Sequence, residues 1–322
     1  MKNATLLNHA WCLLASLTVL GSSAPRENSA QAAKSETPPG ATGSLLFEEN
    51  RKAAEQGDPK ALFELARAYH RGLGVAKDAA KALEYTRLAA EKGYAPAQTA
   101  LGSFYGRGVG VPQDNPQALR WYRQAAESGD AMAQYALGGF YEAGKLVPKD
   151  LNEAIRWLKR AAEQGDAAAQ CELGRIYFTG VDKAVSINFG EAVKWLQLAA
   201  NQGYVGAMNN LGYAYDHGLG GLPMDPPTAA KWYRRAAEGG SAGAQAGLGE
   251  MYRTGRGVPR DLVQSYMWLS LANMGGNVDG KHSAPEVGVL LSPTELDRGE
   301  KLIADFLDRT RRAQTASSEA QK

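Results

Sequence analysis

Six segments of the chain place a leucine, a small residue and a tyrosine on the same side of a helix. The leucine is followed directly by alanine or glycine and four residues later by tyrosine, so the three side chains share one face at 3.6 residues per turn. This spacing predicts an amphipathic helix in each segment. Successive leucines are 36, 36, 36, 38 and 37 residues apart. The segments are Leu65–Tyr69, Leu101–Tyr105, Leu137–Tyr141, Leu173–Tyr177, Leu211–Tyr215 and Leu248–Tyr252.

A second helix is predicted after each tyrosine. A small residue is followed three positions later by an aromatic one, and every Trp beyond Trp11 falls in this aromatic column. An Asp or Asn four positions before the small residue can cap the helix N-terminus, and a glycine follows the C-terminus. The sequence therefore predicts six tandem helix-turn-helix units. The aromatic residues are Tyr85, Trp121, Trp157, Trp195, Trp232 and Trp268, and the capping residues are Asp78, Asp114, Asp150, Asn188, Asp225 and Asp261.

Glycine-rich loops such as Gly108–Val111 and Gly255–Val258 connect the two predicted helices of a unit. Loops of this composition cradle phosphate in some proteins, but there they follow a strand and precede a Lys-Ser/Thr pair. Neither feature is present here, and a similar loop recurs in nearly every unit. We therefore interpret these glycines as turn residues.

The units resemble Sel1-like repeats, which are relatives of the tetratricopeptide repeat. Residues Ala95–Val111 match the pattern A-x-A-Q-x-x-L-G-x-x-Y-x-x-G-x-G-V throughout, and Ala118–Ala126 match A-x-x-W-x-x-x-A-A. The resemblance covers about residues 44–276 and implies an all-α fold, a right-handed α-solenoid of helix-turn-helix repeats. Repeats four and five carry longer connecting loops, around Asp182 and Leu222, and such insertions commonly project from a solenoid.

The two ends of the chain predict further segments. An apolar run followed by small residues predicts a signal peptide at residues 1–24, with cleavage near Ala32 or an uncleaved membrane anchor as alternatives. Residues 25–43 are predicted to be a flexible linker, and residues 44–276 the repeat solenoid with an N-terminal capping helix. Residues 277–312 are predicted to form a loop and a C-terminal capping helix that begins at Ser292, followed by a disordered tail at residues 313–322.

Composition and net charge argue against some classes of function. The 322 residues are 44% apolar and 22% charged, which is typical of a folded chain. A formal net charge of +2 leaves no surplus of positive charge for a phosphate backbone, which argues against a nucleic-acid partner. After signal cleavage only Cys171 remains, so we expect no internal disulfide. Because cleavage also removes the apolar run, we expect no membrane span in the mature chain. The expected location is periplasmic or secreted.

Candidates for catalysis or metal binding are few. His70 and His217 occupy adjacent repeat positions four repeats apart, whereas a metal site needs three or four converging ligands. Cys171 has no histidine at the matching position of a neighbouring repeat to activate it. A cysteine-rich secreted branch of the family is associated with β-lactam binding, but the paired cysteines of that branch are absent. We therefore expect no catalytic residue, metal or cofactor.

The candidate binding surface is the face of the first helices opposite the packed one, which in this family would line the inner curve. It comprises the positions five and two before each leucine and two and five after it. These residues vary between repeats and mix aromatic with charged side chains, which suits recognition of a protein or peptide. An ordinary solvated face is the alternative. The candidates are Phe63, Arg67, His70, Thr99, Ser103, Tyr135, Glu142, Arg175, Phe178, Asn209, Tyr213, Asp216, Glu250 and Arg253.

The aromatic candidates favour recognition over solvation. Phe63, Tyr135, Phe178 and Tyr213 are expected to be exposed, and they are more apolar than a solvated face requires. The sequence thus predicts an exported scaffold or adaptor that binds a cell-envelope partner, such as a sensor or an assembly complex. A secreted factor that binds a host protein is the second hypothesis, and a hydrolase is the third.

Overall fold

The computed structural model describes residues 39–181 and 185–319. This part of the chain divides into two compact units, a first unit that ends at Ala169 and a second unit that begins at Gln170. The secondary structure of the described residues is helical apart from one isolated β-bridge. The helices are α1 (Pro39–Glu55), α2 (Pro59–Arg71), α3 (Ala79–Glu91), α4 (Ala95–Arg107), α5 (Asn115–Glu127), α6 (Ala131–Ala143), α7 (Leu151–Glu163), α8 (Ala167–Thr179), α9 (Phe189–Asn201), α10 (Val205–His217), α11 (Pro226–Glu238), α12 (Ala242–Thr254), α13 (Leu262–Met274), α14 (Val278–Gly288) and α15 (Pro293–Glu319).

The predicted helix pairs are confirmed. Every helix from α2 to α13 has 13 residues. Within each of the two compact units, the helices pack in chain order, for example α4 on α5 and α12 on α13. This is the arrangement of an α-solenoid, in which each repeat contacts its neighbours along the chain.

The predicted capping residues begin the second helices. Asp114, for example, accepts a hydrogen bond from the backbone N–H of Gln117 at 2.9 Å. The backbone N–H of each capping residue also donates to the carbonyl oxygen of the repeat tyrosine, at 2.8–3.0 Å, as Asp114 does to Tyr105. Gly108 ends α4 in the left-handed conformation, with φ 67°. The glycines of the loop therefore act as turn residues, as predicted.

The core lies between the two helices of each repeat and between neighbouring repeats. The repeat leucines are buried, and in repeats two to six the glycine after the leucine contacts a side chain of the second helix. A β-carbon at Gly138 would lie 2.6 Å from Cγ of Leu158, so glycine permits this close contact. The side chain that fills the gap follows the predicted aromatic column by one residue, and it is more deeply buried than Trp121, Trp195 or Trp232. These packed residues are Tyr122, Leu158, Leu196, Tyr233 and Leu269.

The predicted loop at the start of residues 277–312 is wrong, because residues 278–288 form helix α14. Gly280 lies against α13, where a β-carbon would be 2.7 Å from the β-carbon of Ala272. Val287 is fully buried in the same cluster as Leu269. Tertiary packing therefore stabilises a helix whose sequence contains Pro285 and has no clear apolar periodicity.

The termini also differ from the predicted segments. Helix α1 begins at Pro39, inside the predicted linker, whereas the predicted signal peptide and the rest of the linker lie outside the described residues. Helix α15 continues to Glu319, so the predicted disorder of residues 313–319 is wrong. The segment contains neither Gly nor Pro, and nothing in its sequence ends the helix. The C-terminal capping helix itself packs on α13, with the rings of Phe306 and Trp268 5.5 Å apart.

The two longer loops adopt different structures. In repeat four, Val181 and Val185 form the isolated antiparallel β-bridge, and residues 182–184 lie outside the described part. In repeat five, the start of the loop lies against α9, where a β-carbon at Gly220 would come within 2.4 Å of the carbonyl oxygen of Phe189. Met224, later in the same loop, is exposed.

Candidate functional site

Four of the candidate binding residues are buried, so their predicted exposure is wrong. Thr99 donates a 2.8 Å hydrogen bond to the carboxylate of Asp130, which caps helix α6 and holds the threonine inside. The guanidinium of Arg175 forms an ion pair with Glu172 one helical turn earlier. The buried candidates and their exposed fractions are Thr99 at 5%, Arg175 at 7%, Phe178 at 8% and Asn209 at 9%.

Phe178 is part of an aromatic cluster in the second unit. Its ring lies 5.1 Å from that of Phe189 and 5.7 Å from that of Tyr213, both edge-on. Phe189 is the first residue of α9 and covers Phe178 from the side of the second helix. Phe178 therefore contributes to the core rather than to a free surface.

The candidates of the first unit are more dispersed. Phe63 is half-buried, with its ring 5.6 Å from that of Tyr94. Arg67 pairs with Glu64 at 2.9 Å and borders a small cavity of about 160 Å³. His70 is exposed. The remaining candidates of this unit, Ser103, Tyr135 and Glu142, are half-buried.

The second unit brings four candidates together around one cleft. Tyr213 and Asp216 extend from α10, whereas Glu250 and Arg253 extend from α12, the first helix of the next repeat. The cleft, which we name the second-unit cleft, has a volume of about 540 Å³. Its remaining lining residues, which sequence reasoning did not select as binding residues, include His217, Tyr233, Ala246, Gly247, Met251, Arg256, Asp279 and Ser283.

Two small residues open the floor of the second-unit cleft. Ala246 and Gly247 precede the repeat leucine of α12, and they are the smallest pair at these positions in the six repeats. The ring of Tyr233 lies directly beneath, since a β-carbon at Gly247 would be 3.1 Å from Cζ of Tyr233. This pair is a signal that the sequence does contain. The wall formed by Asp279 and Ser283 depends on α14, which was predicted as a loop.

Ion pairs hold most charges of the second-unit cleft. Glu250 accepts two hydrogen bonds from Arg253, each 2.7 Å long. These contacts with Glu250 raise the pKa of the Arg253 guanidinium above its usual value. Asp216 lies 3.3 Å from Nε of Arg256, which reaches back from the loop after α12. That side chain also donates to the backbone carbonyl oxygen of Asp216.

An aromatic pair forms one wall of the second-unit cleft. The rings of Tyr213 and His217 stack with centroids 4.0 Å apart and an interplanar angle of 22°. Nδ1 of His217 lies 3.0 Å from the carbonyl oxygen of Tyr213, which fixes the orientation of the imidazole. Burial raises the pKa of the Tyr213 hydroxyl, and the nearby Asp216 charge adds to the effect. The tyrosine is thus neutral over the physiological pH range.

A metal site, a reactive cysteine and a membrane-spanning helix are three other features that the described residues could contain. No group of three or more His, Cys, Asp or Glu side chains is placed to hold a metal ion there. Cys171 is buried, with 1% of its surface exposed. Across the helices that the structure describes, none combines the length and the apolar character needed to cross a membrane.

Several solved structures resemble this chain, and two of them show the extent of the similarity. The first is c5321, a protective antigen present in uropathogenic Escherichia coli strains that displays an SLR fold, with a TM-score of 0.76 and 34% identity. The match covers 87% of this chain and 60% of that one, so this chain spans less than two thirds of the length of c5321. The second is a Sel1 repeat protein from Oxalobacter formigenes, with a TM-score of 0.61, 30% identity and coverage of 73% and 97% respectively. No functionally curated protein matches the chain.

The Sel1 repeat profile matches six consecutive segments, and each one contains one helix pair. The predicted fold class, an all-α α-solenoid of helix-turn-helix repeats, is therefore confirmed. The matched segments are residues 59–94, 95–130, 131–166, 167–204, 205–241 and 242–277. The chain belongs to the Sel1 repeat family, whose members are generally protein–protein interaction scaffolds.

Proposed function

We propose that this protein is an exported scaffold that binds a partner protein through the second-unit cleft. The observation that carries the proposal is the convergence of Tyr213, Asp216, Glu250 and Arg253 on one concave site. Its volume of about 540 Å³ is large enough to hold several side chains of a peptide. Aromatic and arginine side chains at the centre of a concave surface are the residues that most often dominate binding energy.

The state of the charged groups supports binding more than catalysis. Arg253 is held in a bidentate pair by Glu250, and Arg256 is paired with Asp216. The Glu250–Arg253 pair, fixed by two hydrogen bonds, presents a defined charge pattern to a ligand, which gives specificity. We do not propose the hydrolase of the third hypothesis, because no observation on the described residues favours it.

Export and an envelope partner are the finer parts of the proposal. They depend on the predicted signal peptide at residues 1–24 and on the role that the family resemblance implies. The partner would be a protein of the cell envelope, such as a sensor or an assembly complex. A signal-dependent shift of the chain to the periplasm, measured by fractionation with and without residues 1–24, tests this part.

A secreted factor that binds a host protein is the second candidate function. The observation in its favour is the similarity to c5321, which is described as a protective antigen of uropathogenic strains. Fractionation separates the two candidates, since the scaffold is expected in the periplasm and the secreted factor in the medium.

Capture of a partner from envelope extract tests the binding site. The double substitution Tyr213→Ala and Arg253→Ala removes two side chains from the second-unit cleft, and we expect it to reduce capture at least tenfold, since binding hot spots contribute about 2 kcal/mol or more each. Tyr135→Ala with Glu142→Ala in the first unit is the matched control and should leave capture unchanged. Equal capture by both folded variants would place the binding site elsewhere.

A further inference from the structure

Charged side chains of both signs line the second-unit cleft. Asp216, Glu250 and Asp279 lie around it with the guanidinium groups of Arg253 and Arg256. The imidazole of His217 lines it too, with Nδ1 3.8 Å from Oδ2 of Asp216. Both guanidinium groups already contact a carboxylate of the same cleft. An anionic ligand would therefore compete with the carboxylates for these guanidinium groups, whereas a cationic ligand can take the place of a guanidinium group beside a carboxylate.

One oxygen of Asp216 is buried without a hydrogen bond. Oδ1 has Nε of Arg256 at 3.3 Å, yet no described group donates a hydrogen bond to it. The Arg256 guanidinium instead donates from Nη2 to the backbone carbonyl oxygen of Asp216. A buried acceptor that lacks a hydrogen bond is destabilising, so a better-aligned donor at this place would be favoured.

Arg256 is placed so that it can be displaced. It lies in the loop between α12 and α13, and 43% of its side chain is exposed, compared with 13% for Asp216. Because the Arg256 side of this ion pair is exposed to solvent, exchange of its guanidinium group for another cation costs little. Displacement would uncover Oδ1 of Asp216 to the cleft.

The walls next to Asp216 suit the stem of a long cationic side chain. Tyr213 stacks on His217 beside the carboxylate, and the ring of Tyr233 forms the floor under Gly247. Aromatic faces attract ammonium and guanidinium groups and also pack against their methylene stems.

We infer that the second-unit cleft binds a lysine or arginine side chain of the partner protein, which replaces Arg256 beside Asp216. This inference rests on the proposed function, because it names the chemistry of the partner at the same site. Arg256 then acts as an internal stand-in for the cation of the ligand, and it shields Asp216 until the partner arrives.

Four pools of nonapeptides test the inference. Each pool has a fixed central Lys, Arg, Glu or norleucine, an equal mixture of Ala, Ser and Tyr elsewhere, and blocked termini. Binding to the full chain is followed by NMR of 13C-labelled methionine methyl groups, since Met251 lines the cleft and Met132 in the first unit is a reference. We expect the Lys and Arg pools to shift Met251, but not Met132, and to bind at least tenfold more tightly than the Glu and norleucine pools.

Substitutions separate the roles of the two residues. Asp216→Asn should weaken the Lys and Arg pools at least tenfold, and Arg256→Ala should strengthen them severalfold, because it removes the competing cation. Glu250→Gln, in an exposed ion pair, gives a second reduction of negative charge if Asp216→Asn impairs folding. Glu142 in repeat three has the same register as Asp216, so Glu142→Gln is the matched control and should have no effect.

The outcomes also distinguish the inference from the proposed function. Tighter binding of the Glu or norleucine pool at Met251, or weaker cation binding by Arg256→Ala, would overturn the inference and leave peptide binding at the cleft intact. If no pool moves Met251, the inference fails. Capture from envelope extract by the Tyr213 and Arg253 double variant then decides the proposed function separately.

Discussion

Gln164 at the C-terminus of α7 donates a 2.8 Å hydrogen bond from Nε2 to Oε1 of Gln134 in α6. Gln134 in turn donates to the carbonyl oxygen of Ala126, one of the last carbonyls of α5. The side-chain amide of Gln134 is buried, and these two hydrogen bonds use both its nitrogen as a donor and its oxygen as an acceptor. Gln202 and Gln170 repeat the same contact at 2.8 Å in the second unit.

Repeat two lacks this contact, which leads to a stabilising substitution. Gln98 donates to the carbonyl oxygen of Ala90, but its Oε1 is buried without a hydrogen bond, and Ser128 occupies the place of Gln164. Ser128→Gln would supply the donor and should raise the free energy of unfolding by about 1 kcal/mol. Urea denaturation measures the change. Lys92→Gln is the matched control, because Leu62 replaces the glutamine there, and a similar gain in both variants would contradict the explanation.

Two adjacent glycines of α6 should respond in opposite ways to alanine. Gly138→Ala would place a β-carbon 2.6 Å from Cγ of Leu158, and such overpacking costs about 1–3 kcal/mol. A β-carbon at Gly139 would have no atom within 4 Å beyond its chain neighbours and the backbone of its own helix, so Gly139→Ala should gain up to about 1 kcal/mol of helix propensity. Thermal unfolding of the two variants checks the contrast. Equal shifts of melting temperature would show that the helix pair in repeat three is less tightly packed than described.

Phe178 should behave as a core residue. Phe178→Ala removes a ring that contacts Phe189 and Tyr213, and it should lower the free energy of unfolding by about 3–5 kcal/mol. His70→Ala, at the same register of repeat one but exposed, should change stability by about 0.5 kcal/mol or less. Chemical denaturation gives both values. A small effect of Phe178→Ala would mean that the ring is available for binding.

The capping box of α15 predicts a pH-dependent contribution. The backbone N–H and hydroxyl of Ser292 both donate to Glu295, and these hydrogen bonds hold the pKa of its carboxyl below the usual value. Because the folded-state pKa is lowered, the stabilisation is present above the unfolded-state pKa of about 4.3 and is lost as the pH falls through the folded-state value. In Ser292→Ala, an NMR titration should find the Glu295 pKa raised toward that unfolded value. An unchanged pKa would show that the capping box is not formed in solution.

The helices could be predicted from the sequence because their signals are local. Leucine and tyrosine positions repeat at helical spacing, and a capping residue such as Asp114 marks the start of each second helix. Helix α14 could not be predicted, since the contact of Gly280 with α13 joins segments that carry no common pattern. Packing from a neighbouring element, rather than local sequence, decides such a segment.

The candidate site could be predicted only in part for a similar reason. Register places Tyr213, Asp216, Glu250 and Arg253 on one face, and these four do line a cleft. The same register also selected Phe178, which Phe189 covers from the next helix. Whether a position on this face is open depends on the size of side chains in adjacent repeats, which spacing alone does not reveal.

The hydrogen bond from each capping residue to the preceding repeat tyrosine has a consequence for how the gene can change. The backbone N–H of Asp114 donates to the carbonyl oxygen of Tyr105, and that of Asp150 donates to the carbonyl oxygen of Tyr141. Every repeat therefore forms the turn between its two helices from its own residues. Unequal recombination between the coding segments for residues 95–130 and 131–166 would thus add or delete a complete repeat without breaking a turn. Length can evolve in steps of one repeat, while the terminal helices α1 and α15 stay at the ends of the chain.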